Sequence, residues 1–221
     1  MQFDSSFFAL LLGGLRDTLY MVLVSTALGY ALGLPLGILL AVSDRNGIRP
    51  RPVLYRVLDV LTNLMRSIPF LILLILLIPL TRALVGKSYG STATIVPLTV
   101  AAAPLIGRMV ESSLKEVDHG VIEAAQAMGA DTMTIITKVL LVEARISLIV
   151  GVTISFATIL GYSAMAGTVG GGGLGDVAIQ YGYYRYQFDI MIVTVVLLVA
   201  IVQVFQFAGM RLASRLDRRK A

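Results

Sequence analysis

Charged residues divide the chain into long apolar runs and short polar breaks. None falls within residues 18–43, 88–107, 146–175 or 190–210. Each run reaches the ~20 residues that an α-helix needs to cross the hydrocarbon core of a bilayer. A further run, SIPFLILLILLIPLT at 67–81, holds fifteen uncharged residues and is too short to cross alone. Its helix must start within 53–66 and carry polar residues into the membrane. The pattern predicts an all-α polytopic membrane protein with five transmembrane helices, at about 18–43, 57–80, 90–108, 146–168 and 189–210. An odd number of crossings puts the two ends of the chain on opposite faces.

Finer periodicities lie inside these spans. In the first, Gly29, Gly33, Gly37 and Ala41 recur every four residues. Small residues at that spacing let helix backbones approach closely in a bilayer. Pro35, Pro97 and Pro104 predict bends. The second span carries Arg56, Asp59, Asn63 and Arg66 on one helical face. Charge at membrane depth is costly and faces protein or water. This stripe therefore reads equally as the lining of an aqueous path or as a buried ion pair that pins helices. Late in the fourth span, GYSAMAG places Ser163 and Met165 among small neighbours, Ala164, Ala166 and Gly167. Two such methionines in a dimer would form an apolar constriction, and Met165 is a candidate gate; gap-filling in the core is the alternative.

Between the third and fourth spans lies a polar island at 109–145. Val110, Leu114 and Val117 continue a helical face below the third span. Val121, Ile122, Ala125 and Met128 then form a second apolar stripe, with Glu123 and Gln126 directed elsewhere. Gly129 ends that helix, as glycine often does, and Asp131 or Thr132 caps the next. An amphipathic helix held against a membrane protein needs something to cover its outer face.

Composition narrows the function classes. Charged residues make up 14% of the chain and hydrophobic ones 57%, a balance suited to lipid rather than water. The net charge of +5 is a topology signal, not a nucleic-acid footprint. With the N-terminus outside, the inner segments hold Arg45, Arg49, Arg51 and Arg56. They also hold Arg108, Lys115, Lys138 and Arg145, and finally Arg211, Arg215, Arg218, Arg219 and Lys220. That is thirteen of the eighteen basic residues, so the C-terminus is cytoplasmic. The opening MQFDSSFF has no basic n-region of a cleaved signal peptide. Absence of cysteine excludes thiolate chemistry, and a lone histidine, His119, makes no metal cluster. Gly170, Gly172 and Gly175 satisfy G-x-G-x-x-G, but they follow a membrane span instead of a β-strand, and no G-x-x-x-x-G-K-[ST] occurs. An external glycine turn is the better reading, and this chain is expected to bind no nucleotide.

The island then carries a resemblance. EAAQAMGADTMTIITKVLLV resembles the EAA loop of bacterial ABC-importer permeases: Glu123, Ala124, Ala125, Gly129, Val139 and Leu141 match its spacing, with Val142 where proline is usual. RSIPFLILL, IVPLTVAAAP, RMVESSL, GYSAMAGTVGGGGLGD and QYGYYRY are similar to permeases of the methionine-import family. The resemblance implies a type I importer permease fold, one permease domain over 1–221, in the bacterial inner membrane. It implies a homodimer, two cytoplasmic ATPase subunits that bind the ATP and magnesium, and an extracytoplasmic methionine-binding lipoprotein. It also implies that Glu123, Ala124, Ala125, Met128 and Gly129 belong to a coupling helix seated on the ATPase. Three other readings stay open: a secondary transporter or channel using Asp59 and Arg66, a membrane scaffold, and an ABC permease for another amino-acid-like substrate.

Overall fold

The computed structural model describes residues 5–216; Arg218, Arg219 and Lys220, part of the charge count above, lie outside the described residues. The described chain is a bundle of long helices with short helical segments at both ends. α1 runs over Ser5–Ser43, well beyond the expected start at 18. Arg16 and Asp17 interrupt the apolar run but not the helix, because charge at an aqueous helix end carries no backbone penalty. Its 39 residues extend about 58 Å at 1.5 Å per residue, longer than the hydrocarbon core is thick. Pro35 lies inside it and leaves the Ala31 carbonyl without its helical donor.

The second span is not the single helix expected at 57–80. α2 (Pro52–Ser67) stops, and α3 (Phe70–Leu76) leaves at a bend of 99°. The cause is Pro69, whose ring forces Ile68 into an extended conformation, φ −77° and ψ 123°. α2 is amphipathic in the reverse sense of a soluble helix: Val53, Val57, Val60, Leu61 and Leu64 are exposed, while Thr62 is buried against the protein. A hydrocarbon surrounding accounts for that inversion. α4 (Ile78–Val85) ends at Gly86 in the left-handed region.

α5 (Ser91–Lys115) is the centre of the bundle and passes Pro97 and Pro104 without breaking. Leu98, Ala102 and Ile106 are fully buried in it, packed with Met21, Phe156 and Ile159. The small-residue stripe of α1 lies against it. A Cβ added at Gly29 would come 2.8 Å from the Ala102 Cβ, at Gly33 2.7 Å from the Ala103 carbonyl, and at Gly37 2.5 Å from the Gly107 carbonyl. Partners advance together along both helices, so α1 and α5 run parallel in backbone contact.

α6 (His119–Ala127) follows α5 after three residues. Two short helical pieces, Thr132–Thr134 and Leu141–Glu143, flank a π-helical turn at Ile135–Leu140. α7 (Arg145–Ala166) crosses back and stacks Phe156 on Phe205 of the last helix. The glycine segment that follows is packed: Gly90 donates to the Gly170 carbonyl at 2.9 Å, and Thr94 Oγ1 donates to that of Gly171 at 3.1 Å. α8 (Gly173–Val177) is clamped on α1, with the Leu174 amide donating to Thr18 Oγ1 at 2.8 Å. A second π-helical turn at Ala178–Tyr183 leads to α9 (Phe188–Leu216), on which only Thr194 and Ala213 are buried.

Candidate coupling surface and translocation path

α6 is specified locally at both ends. Asp118 caps its start, accepting from the Gly120 amide at 2.7 Å. Its end closes in a paired motif: the Gly129 amide donates to the Gln126 carbonyl at 2.9 Å and the Ala130 amide to that of Ala125 at 3.1 Å. That geometry needs a left-handed residue, and Gly129 supplies it at φ +81°. A Cβ there would meet nothing within 4 Å in this chain, so conformation and not space demands the glycine. Asp131 caps the next helical piece through the Thr134 amide at 3.3 Å, and the Thr134 side chain first, then the nearby backbone amides, hold its carboxyl below the usual carboxylate range.

The faces of α6 differ from the stripe read in the sequence. Ala125 is buried and Ile122 packs on the core, whereas Val121 is 42% exposed and Met128 82%. Glu123 and Gln126 are not directed away from Ile122. All three border a cavity of about 290 Å³ behind the helix, which Asp44, Lys115 and His119 also line. Ala124 faces outward with Val121. Met128 leaves the stripe because it lies past the last helical residue, where the chain turns at ψ 1°. The outer surface here is therefore Val121 and Ala124 of α6 with Met128 just beyond its end, all exposed. Val142 continues the helical backbone of Leu141–Glu143, and the turn into α7 falls at Ala144.

The polar stripe of α2 divides. Asp59 is ion-paired with Arg108 of α5, and Asn63 Nδ2 donates to Asp59 Oδ1 at 3.3 Å. Arg56 and Arg66 are exposed and form no ion pair among the described residues. Arg108 also donates to Glu111 at 2.6 Å, and Glu111 accepts from Lys115 at 2.7 Å and from the Tyr55 hydroxyl at 3.1 Å. Lys115 reaches Asp44 at 2.9 Å. Sequence reasoning assigned Arg108 and Lys115 to topology alone and missed this network. The signal was present: 108, 111 and 115 are spaced by three and four and share one face of α5.

Ser163 and Met165 separate as well. Ser163 is buried, with its hydroxyl donating to the Leu160 carbonyl at 2.8 Å. Met165 is 50% exposed, on a bare face of α7 shared with Gly161 and Ile154. One chain thus presents Met165 on an exposed helix face.

Known proteins share both the sequence and the arrangement. The family described as binding-protein-dependent transport system inner membrane component matches residues 33–221. The probable D-methionine transport system permease protein MetI of Vibrio cholerae is 50% identical over 95% of this chain and 93% of its own length. The D-methionine transport system permease protein MetI of Escherichia coli is 51% identical over 72% of this chain and 73% of its own. Among solved structures, a chain of the inward-facing MetNI methionine ABC transporter superposes with a TM-score of 0.96 at 48% identity, covering 97% of this chain and 100% of that one. An amino acid ABC transporter solved with histidines shares the fold, with a TM-score of 0.72 at 21% identity, over 99% and 100% of the two chains. Fold and sequence are similar over nearly the whole length, and the chain belongs to the binding-protein-dependent transport system inner membrane component family.

Proposed function

We propose that this chain is the permease subunit of an ATP-driven methionine importer. It works as a homodimer with two cytoplasmic ATPase subunits and an extracytoplasmic binding protein that delivers the amino acid. The observation that carries the reading is the end-to-end agreement, in sequence and in fold, with permeases named for methionine transport.

The chain's own residues support this division of labour. α6 leaves Val121 and Ala124 exposed, with Met128 exposed just past its end, while Ala125 anchors its inner face. Such a face fits a groove on another subunit. Met128 adapts its thioether to that groove and Gly129 turns the chain away without a side chain. ATP and magnesium belong to the ATPase subunits; this sequence has no phosphate-binding loop. When ATP draws the ATPase subunits together, α6 is displaced and the helices joined to it rock, exposing the path alternately to each side. Met165 from each protomer closes the path at an apolar constriction. Glu123, beside the cavity behind α6, orients the loop.

The ion-coupled alternative loses its main residue, since Asp59 is occupied by Arg108. Co-expression with the ATPase and binding protein, followed by vesicle uptake of labelled D- and L-methionine, tests the proposal. ATP-dependent accumulation of methionine is expected. Accumulation without ATP, or of other amino acids but not methionine, would refute it.

A further inference from the structure

Five ionic groups and one phenol form an unbroken chain at the cytoplasmic end of the bundle. In order they are Asp44, Lys115, Glu111, Arg108 and Asp59, with the Tyr55 hydroxyl donating to Glu111. The signs alternate, and three different elements contribute: the loop after α1, α2, and the last turns of α5. Glu111 is the hub. Its carboxylate is buried, and it accepts from two residues of its own helix and one of α2. A buried carboxylate holding three donors is costly to disturb, because removing one partner leaves the others uncompensated.

The position of this network matters as much as its chemistry. Only Glu116, Val117 and Asp118 separate Lys115 from α6. Lys115 and Asp44 also form part of the wall of the cavity behind α6, together with Glu123 and Gln126. A displacement of α6 is applied first to that end of the network. At the other end, α2 is tied to α5 by the Asp59–Arg108 pair, by Arg108 donating to the Asp59 carbonyl at 3.3 Å and by the Tyr55–Glu111 bond, while its apolar face is exposed and its remaining packing is against α1.

We propose that Glu111 is a positioning residue of the transport cycle. It locks α2 to α5 so that the motion of α6 moves both helices as one unit. The inference rests on the importer reading above and assigns to it the element that carries movement from the coupling helix into the membrane. Without the lock, α5 follows α6 while α2 lags, and ATP is hydrolysed without a completed change of access.

The test uses the full complex of permease, ATPase and binding protein in vesicles, with ATP hydrolysed per methionine imported as the readout. Glu111→Gln keeps the size of the side chain and removes its charge; the ratio is expected to rise at least fivefold with the complex still assembled. A second variant, Tyr55→Phe with Asp59→Asn, alters the α2 side alone and leaves Glu111 paired within α5; it is expected to raise the ratio in the same direction. The chain has no native cysteine, so cysteines at 55 and 111 joined by a short bifunctional reagent supply a rescue. The reduced pair is expected to be uncoupled and the joined pair to recover most of the wild-type ratio. Either α2-side or Glu111 variants with an unchanged ratio, or a joined pair that stays uncoupled, would overturn the role of Glu111. Failure of the wild-type complex to import methionine would instead overturn the importer reading.

Discussion

Gly37 and Gly129 are the same residue used for opposite reasons. At Gly37 the backbone is ordinary helix and the constraint is space: a Cβ would press on the Gly107 carbonyl and on Val110. At Gly129 space is free within the chain and the constraint is the left-handed backbone. One glycine belongs to the buried seam that makes the bundle, the other to an exposed turn that we propose as part of the coupling surface. Damage to the seam should show as loss of the protein. Damage to the turn should show as loss of coupling in a protein that is still made.

The largest expected effect breaks the seam. Gly37→Val inserts a branched side chain where helix backbones touch, and overpacking of this kind costs about 1–3 kcal/mol or more. Membrane levels of the variant, measured by immunoblot, should fall severalfold and its melting temperature should drop; wild-type levels would mean that α1 and α5 can separate. Gly129→Asp is the matching test of the turn. Left-handed strain costs about 1–2 kcal/mol at one residue, which a bundle of this size tolerates. Insertion should survive while methionine-stimulated ATP hydrolysis and crosslinking from residue 124 to the ATPase are lost. Normal crosslinking in a well-expressed variant would remove α6 from the coupling role.

A smaller effect is expected at Met165. Half exposed, it contributes little to the folded chain, so Met165→Ala should leave thermal stability unchanged and raise passive methionine leak. Unchanged leak and unchanged uptake together would end the gate assignment. Smallest is Asp118→Ala, which removes a single helix cap worth about 1 kcal/mol. It should loosen α6 without breaking it, seen as faster amide exchange across 119–127 with uptake reduced by less than half. Reporter fusions at residues 3 and 221, both outside the described residues, should land on opposite sides of the membrane.

Much of this was legible in the sequence because it depended on local rules. Charge-free runs fixed four crossings, and Gly129 with Asp131 marked the end of one helix and the start of another. The four-residue glycine spacing marked the seam, though not the helix on its other side. What escaped depended on one residue overruling a pattern, or on distant partners. Pro69 sits inside an apolar run long enough to read as continuous, yet it turns the chain by 99°. Glu111 and Tyr55 are 56 positions apart, and no periodicity connects them. The glycines at 170–173 read as a loop, whereas they are locked by hydrogen bonds to α5 and by contact with α1.

The seam between α1 and α5 also restricts how the molecule can move. Its glycines act as notches cut every four residues, about 6 Å along the helix axis. Sliding one helix past the other by less than that distance drives Val110 or Ile106 out of its notch and into backbone. The two helices therefore form one lever of fixed register, and travel must come from rotation at its joints. The residues that follow α1 at 44–51 and the three between α5 and α6 are where such joints exist.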